Sequence, residues 1–518
     1  MIIKNTPFYL LFILTLSSVF FTHPFMVYPF DVYTHLDWIH IQNTTESSPI
    51  RQTWHSIWSS IFHFLDIGNT EILLRASIIH YTQSIIIFVL LFTSSLLIIK
   101  NVFKNLEKQM LYILAYWVTI LWFSILSTSS VGYHQVWIIW YSVNYQITLP
   151  LTLLLLAIIV SLIFESMSLK KRIIYILLSI TLSLLVLALH AMEYIYFLLY
   201  ISVLFIIHLD KIWYFSKKRP SLSFSLFIAI GLAFSFLIIT VKSYSYRTSP
   251  LLEYLNYEKF PLLFTEISTR GERVLAHYNK ASSTINELMI LSLCIIIIFF
   301  LIMLYRNYKH YPKLLNQRLM LFIFMASLFI FIPLNKYTAG LASLITYDTV
   351  SYRFYYSTLL YLILPLFIYY ILAIYKIQKI LFLNIIIIVV LLSTLFYSKT
   401  FSTHQNYYKN IRSIYHIFQK EKMQFNLNSK EIQKIGEILK NDMLNQKTSK
   451  PYYYYARDDI SFVIKFIYRK PVFYHAKGSK NYQKSYEQDK EITHQAILFQ
   501  TPKSFPSYKR FIQRNTIK

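Results

Sequence analysis

Cysteine is almost missing from this chain: one residue, Cys294, in 518, and it lies inside an apolar run. No disulfide can close within the chain, so any part outside a membrane has to be held by packing alone. Glycine is scarce too, 7 in all. Helix bundles that slide or unwind use small residues and glycine breaks at their contacts, so this scarcity argues against a moving transporter. Charge is thin, 14% of residues, and acids are the rarer sign, 24 Asp and Glu against 50 Lys and Arg.

What remains is apolar. A chain of this size that is 56% hydrophobic cannot keep a soluble surface wet, so most of it belongs in lipid. The first apolar stretch, Phe8 to Thr22 behind Lys4, is followed by Thr22, His23 and Pro24, which offer no small-residue cleavage site; it reads as an uncleaved anchor. The wealth of Tyr (44) and Phe (41) reads as a compositional bias, so YYYYAR carries little functional weight.

A helix needs about 20 apolar residues to cross the hydrocarbon core, and about eleven stretches qualify, with centres near residues 15, 88, 118, 156, 181, 200, 231, 296, 325, 365 and 388. The loops between them alternate in charge. One set carries Lys4; Lys100, Lys104 and Lys108; Lys170, Lys171 and Arg172; Lys211, Lys217, Lys218 and Arg219; Arg306, Lys309, Lys313 and Arg318; and Lys376 and Lys379. The positive-inside rule makes this set cytoplasmic. The N-terminus is then inside and residues 23–77, 127–146, 190–193, 242–286, 334–356 and everything after about 398 lie outside.

The expected architecture is therefore an all-α polytopic membrane domain over residues 1–398, with a small α/β extracytoplasmic C-terminal domain over 399–518. In the tail, Ser429 reads as an N-cap ahead of Ile432, Ile435, Ile438 and Leu439 at helical spacing. PYYYYA, KPVFYHA and HQAILFQT read as strands, and DDISFVIKFIY as a helix opened by acids. The tail holds 23 Lys and Arg against 9 Asp and Glu, a net +14, which suits anionic headgroups or polyanionic glycans; nucleic acid is not an expected partner on this side.

Three polar clusters are not explained by the membrane alone. In PFDVYTHLDWIHIQ, residues 29–42, a helical conformation puts Asp31, Thr34, His35 and Trp38 on one face, with Asp37 about 120° away and His40 opposite. Such a group can be a polar loop leaving the membrane, a general base, or a metal ligand. In LALHAMEYIYF, residues 187–197, His190 and Glu193 stand i, i+3 at the turn between two short spans; in lipid they must face water, each other or a site. In NKYTAGLASLITYDTVSYRFYYSTLLY, residues 335–361, Lys336 and Arg353 stand on the outer face, Arg353 at the start of a span, where it can snorkel or grip a phosphate in bidentate fashion. The uncharged, Trp- and Tyr-rich residues 129–146 read as an interfacial segment, and residues 242–280 as either a mobile cover or a solvated connection. All three clusters fall on one membrane face, so one site could draw on all of them.

In layout and in these residues the chain resembles the GT-C superfamily of membrane glycosyltransferases, which use polyprenyl-phosphate sugar donors at the outer side of the membrane. PFDVYTHLDWIHIQ is similar to the Asp-aromatic-x-x-His-Leu stretch of many bacterial members, with Val32 set between Asp31 and Tyr33, and FIYRKPVFYHA resembles tail segments in which an aromatic pair and an Arg precede a Val-led strand. The resemblance implies a multi-pass enzyme of the bacterial cytoplasmic membrane, moving a sugar to an envelope glycan, lipid or protein. It implies Asp31 as base with His35 beside it, Asp37 as a second acid, and Arg353 with Lys336 as grips for the donor phosphate. His190 and Glu193 correspond by place in the topology, as substrate-binding residues with no fixed role. No Asp-x-Asp is present in this stretch, so no cofactor is expected and a divalent metal is not favoured. Competing readings are a transporter or lipid flippase, an envelope glycan polymerase or ligase, and a non-catalytic scaffold using the basic tail.

Overall fold

The computed structural model describes residues 49–67, 72–103, 106–127, 144–221, 257–281, 316–346 and 357–374, with residues 39, 254, 298, 301, 302, 354, 436, 437, 440, 453–455 and 496–498. These residues are overwhelmingly helical. In chain order the helices are α1 (Pro49–Phe64), α2 (Ile72–Val102), α3 (Lys108–Ser127), α4 (Asn144–Phe164), α5 (Leu169–Leu189), α6 (Ala191–Ile207) and α7 (Leu209–Lys218). After them come α8 (Leu263–Ala281), α9 (Gln317–Ser327), continued by a 3-10 turn over Leu328–Leu334, then α10 (Lys336–Ile345) and α11 (Leu360–Ile374). In the tail, β1 (Tyr453–Tyr455) and β2 (Ala496–Leu498) pair in parallel, with Tyr454 opposite Ile497. Gly436, Glu437 and Lys440 are helical, and the remainder of the expected α/β domain lies outside the described residues.

Among the described residues, four helical stretches are long and apolar enough to cross a membrane: Tyr81–Val102, Ile147–Phe164, Leu169–Leu189 and Gln317–Leu334. A fifth is added if α6 and α7, bent by 67° at His208, count as one. Of the expected span centres, those near residues 88, 118, 156, 181, 200, 325 and 365 fall in α2, α3, α4, α5, α6, α9 and α11; those near 15, 231, 296 and 388 lie outside the described residues. Two of the expected outer loops carry helices. Residues 263–281 of the expected outer loop 242–286 form α8, and residues 336–345 of the loop 334–356 form α10.

The helices sort by how much of each is enclosed. α2, α3, α4, α6, α9 and α11 share one core in which Tyr116, Tyr196, Tyr200 and Phe322 are at most 1% exposed. α5 packs on α4 and α6 from outside, and only 17% of its span is buried. Ile173, Ile176, Leu177, Ile180 and Leu184 point outward from it. In water that face would drive aggregation; against lipid tails it costs nothing, and small polar groups are what must be satisfied internally. The buried hydroxyls obey that rule. Ser95 donates to Leu91 O at 2.7 Å, Thr119 to Ala115 O at 2.8 Å, Thr152 to Thr148 O at 2.9 Å and Ser327 to Ile323 O at 2.7 Å, each closing on its own helix.

One end of the bundle is tied together by charge. Lys100 at the close of α2 and Lys171 at the opening of α5 both reach Oε1 of Glu165 just past α4, at 2.8 Å each. Arg318, opening α9, forks onto Asp210 of α7, with Nη1 to Oδ1 at 2.9 Å and Nη2 to Oδ2 at 2.5 Å. Asn316 N donates to Val102 O at 2.8 Å, the rings of Phe164 and His208 meet at 5.3 Å, and those of Phe103 and Tyr369 at 4.9 Å. Helices that alternate in direction thus bring Lys100, Lys171 and Arg318, three members of the basic loop set, to one level. Burial opposes the charge on Glu165, but hydrogen bonds and attraction from Lys100 and Lys171 outweigh it and hold the carboxyl below its ordinary value.

Candidate functional site

The opposite end is built differently. α5 runs 21 residues from its Ser168 cap, about 30 Å at helical rise, so its far end is a membrane thickness from Lys170 and Lys171. There the chain reverses in one residue. His190 takes an extended conformation (φ −164°, ψ 117°), ending α5 and capping α6 in the same step. Glu193 falls in the first turn of α6, where free backbone N–H groups favour a negative charge. It is 5% exposed, and its Oε2 is in hydrogen-bond contact with Nδ1 of His190. An acid so enclosed at the edge of an apolar bundle requires such a partner. When Nδ1–H donates to the carboxylate, the basic lone pair of the ring is confined to Nε2, so the pair can hold an imidazole ready to accept a proton or a hydroxyl hydrogen bond.

The face of α6 that carries Glu193 continues through Tyr196 and Tyr200, at i+3 and i+7, both 0% exposed. The Tyr196 ring meets Phe354 edge-on at 5.7 Å, and the Tyr200 hydroxyl donates to Ser357 O at 2.6 Å. Ser357 Oγ in turn donates to Phe354 O at 2.7 Å, and Thr358 Oγ1 donates to Ser327 O at 2.9 Å. Phe354, Ser357 and Thr358 are therefore held between α6 and the end of α9. Phe354, which directly follows Arg353 in sequence, thus meets Tyr196, the residue one helical turn along α6 from Glu193. Arg353 itself is outside the described residues, as are Asp31, His35 and Asp37. From the segment 29–42, Ile39 alone is described, helical and 1% exposed.

Lys336 is engaged elsewhere. Its Nζ pairs with Glu272 of α8 at 2.5 Å, and that hydrogen bond, working against desolvation, raises the ammonium above the ordinary lysine value. The pair flanks a very close helix crossing. A Cβ built on Gly271 would come 1.8 Å from Lys336 O, and one on Gly340 would come 1.8 Å from Ile267 O. Asn335 caps α10 by accepting from Tyr337 N at 2.9 Å and Thr338 N at 3.4 Å. Two of the few glycines thus fasten α8 onto α10 directly where the span Gln317–Leu334 ends.

Beside this end α1 supplies a wall not foreseen from the sequence. Trp54, Trp58 and Phe62, at i, i+4, i+8, are buried; Trp54 Nε1 donates to Gln83 Oε1 at 2.7 Å, and the Arg75 guanidinium lies 4.9 Å from the Phe62 ring centre. Their spacing was a legible amphipathic signal. Tyr196 and Tyr200 were equally legible from their spacing to Glu193, whereas their partners Phe354 and Ser357 required the fold. Among the described residues no group of three His, Cys, Asp or Glu could hold a metal; the candidate ligands Asp31, His35 and Asp37 are not among them. Comparison with models of known protein families, with curated proteins and with solved structures gives no match.

Proposed function

We propose that this chain is a multi-span membrane glycosyltransferase that moves a sugar from a polyprenyl-phosphate donor to an envelope glycan, lipid or protein acceptor at the outer face of the bacterial cytoplasmic membrane. The observation that supports it most is the buried His190–Glu193 pair, one turn along α6 from Tyr196, whose ring meets Phe354, the neighbour of Arg353 in sequence. It lies at the end of the bundle opposite the cluster of Lys100, Lys171 and Arg318, which the positive-inside rule assigns to the cytoplasm. The same reading takes about eleven spans, a cytoplasmic N-terminus and an extracytoplasmic α/β tail.

In this mechanism an acceptor hydroxyl attacks the anomeric carbon of the donor. The bond from that carbon to the phosphate oxygen breaks, and its electron pair leaves with the polyprenyl phosphate. Asp31 takes the hydroxyl proton, with His35 and Asp37 beside it, and Arg353 neutralises the growing phosphate charge. His190, oriented by Glu193, holds a sugar or acceptor hydroxyl. A divalent metal is not favoured, since residues 29–42 hold no Asp-x-Asp.

A transporter or flippase would need polar groups lining a path through the mid-membrane. Among the described residues, Ser94, Ser95, Thr119, Thr152, Ser179 and Ser327 instead bond to carbonyls of their own helices, which favours chemistry at the surface. The test is mass spectrometry of envelope glycans and lipid A from cells expressing Asp31→Asn or Arg353→Ala at normal levels. Loss of one sugar in both variants is expected. A full glycan complement in both would sink the enzymatic reading, and a cytoplasmic reporter signal at residue 450, against cytoplasmic signals at 105 and 215, would sink the topology.

A further inference from the structure

We propose that α7 is an interfacial anchor that docks on the headgroups of anionic phospholipids. It departs from α6 by a 67° bend, so a helix that follows a span directly is turned toward the membrane plane. The bend is made at His208, whose Nδ1 lies 2.9 Å from Leu204 O and whose backbone (φ −107°, ψ 14°) leaves the α-helical path for one residue. Every residue of α7 stays out of the core. Its sequence, LDKIWYFSKK, nonetheless splits cleanly around the helix. Leu209, Ile212, Trp213 and Ser216 form one arc, flanked by Phe215; Asp210, Lys211, Tyr214 and Lys218 occupy the other.

Leu209 is 48% exposed, Trp213 66% and Phe215 38%, on a helix covalently continuous with a span that already meets lipid. Trp and Tyr at the end of a span, on a short amphipathic helix, are at home at headgroup level, the apolar arc entering about 5–10 Å. Charge selects the lipid. Asp210, the acid of α7, is occupied by the fork of Arg318. Lys211, Lys217, Lys218 and Arg219 are left facing outward, with Lys217 also 5.6 Å from the Trp213 ring. A basic rim over an apolar arc is what an anionic membrane surface attracts. This inference rests on the membrane location alone and survives if the glycosyltransferase reading fails.

The test uses the full chain in vesicles, with an environment-sensitive fluorophore on Ser216→Cys or Tyr214→Cys, positions about 160° apart around the helix. Cys294 lies in an apolar run, and wild type labelled in parallel gives its background. Lipids carrying a spin-label quencher should quench the Ser216→Cys probe at least about threefold more than the Tyr214→Cys probe, which aqueous iodide should reach instead. Replacing roughly one third of the phosphatidylcholine by phosphatidylglycerol should deepen the Ser216→Cys quenching. Exchanging Lys211, Lys217, Lys218 and Arg219 together for Gln should abolish that response. Equal access of iodide to both positions overturns the proposal. Shielding of Ser216→Cys from both quenchers points to a protein partner and overturns it as well. An unchanged Ser216→Cys profile on adding phosphatidylglycerol, with all four basic residues in place, overturns the anionic docking, and that comparison stands even if the fourfold variant does not accumulate.

Discussion

The two ends of the bundle manage ionisable groups in opposite ways. At the basic end Asp210 and the cations lie in contact with solvent, the Asp210 side chain 59% exposed and that of Lys100 53%, and the less exposed Glu165 (16%) has two lysines on it. At the other end Glu193 is 5% exposed and leans on a single imidazole, with Tyr196 and Tyr200 below it. Exposed pairs on mobile side chains contribute little and are easily replaced by water. An enclosed acid is costly if its partner is lost, so its retention calls for a use. The contrast separates a structural ion-pair layer from a candidate site, and four substitutions test how sharp it is.

The largest effect is expected for Glu193→Ala. It removes the carboxylate that faces His190 Nδ1 from an enclosed site, and stability in detergent should drop by about 3 kcal/mol, with loss of the proposed transfer. A melting temperature equal to wild type would place Glu193 with the exposed pairs. Gly340→Ala comes next. Its new methyl meets the Ile267 carbonyl backbone rather than a yielding side chain, so α8 and α10 must separate at about 2 kcal/mol, and cysteine crosslinking between them should weaken. Tyr200→Phe should cost about 1–2 kcal/mol by stripping the Ser357 carbonyl of its donor, visible also as faster hydrogen exchange at Ser357 and Thr358.

The smallest effect belongs to the basic end. Glu165→Gln should cost no more than about 1 kcal/mol at neutral pH. Because the Glu165 carboxyl titrates lower in the folded chain than when unfolded, its contribution is complete above the ordinary glutamate range near pH 4.3 and fades as pH falls through the lowered value. Thermal unfolding of wild type and variant should therefore converge in acid. Persistence of the gap at the lowest accessible pH would show that Glu165 acts through packing.

Much of the helical layer was legible because lipid imposes a simple code: a run of apolar residues long enough to cross, with charge left at its ends. Leu169–Leu189 and Ile147–Phe164 follow it directly. His190 and Glu193 stood out for the same reason, as ionisable groups between two apolar runs. The helix α8 was harder to read, because Glu266, Arg270, Glu272 and Arg273 alternate in sign and resemble a solvated loop until a partner covers Gly271 and Val274. The bend at His208 was hidden as well, since the apolar pattern of α6 runs up to it without glycine or proline to announce a break.

The sequence by itself determined that the chain is strongly apolar, where its long apolar helices run among the described residues, and which few polar residues need explaining, because those follow from local composition against a fixed membrane thickness. Tertiary structure alone decided who meets whom. Phe354 reaches Tyr196, Ser357 reaches Tyr200, Lys336 is drawn off to Glu272, and Glu165 gathers lysines from α2 and α5. Such pairings join residues as far as 157 positions apart, and no local pattern encodes them, because they depend on which helix faces close on one another.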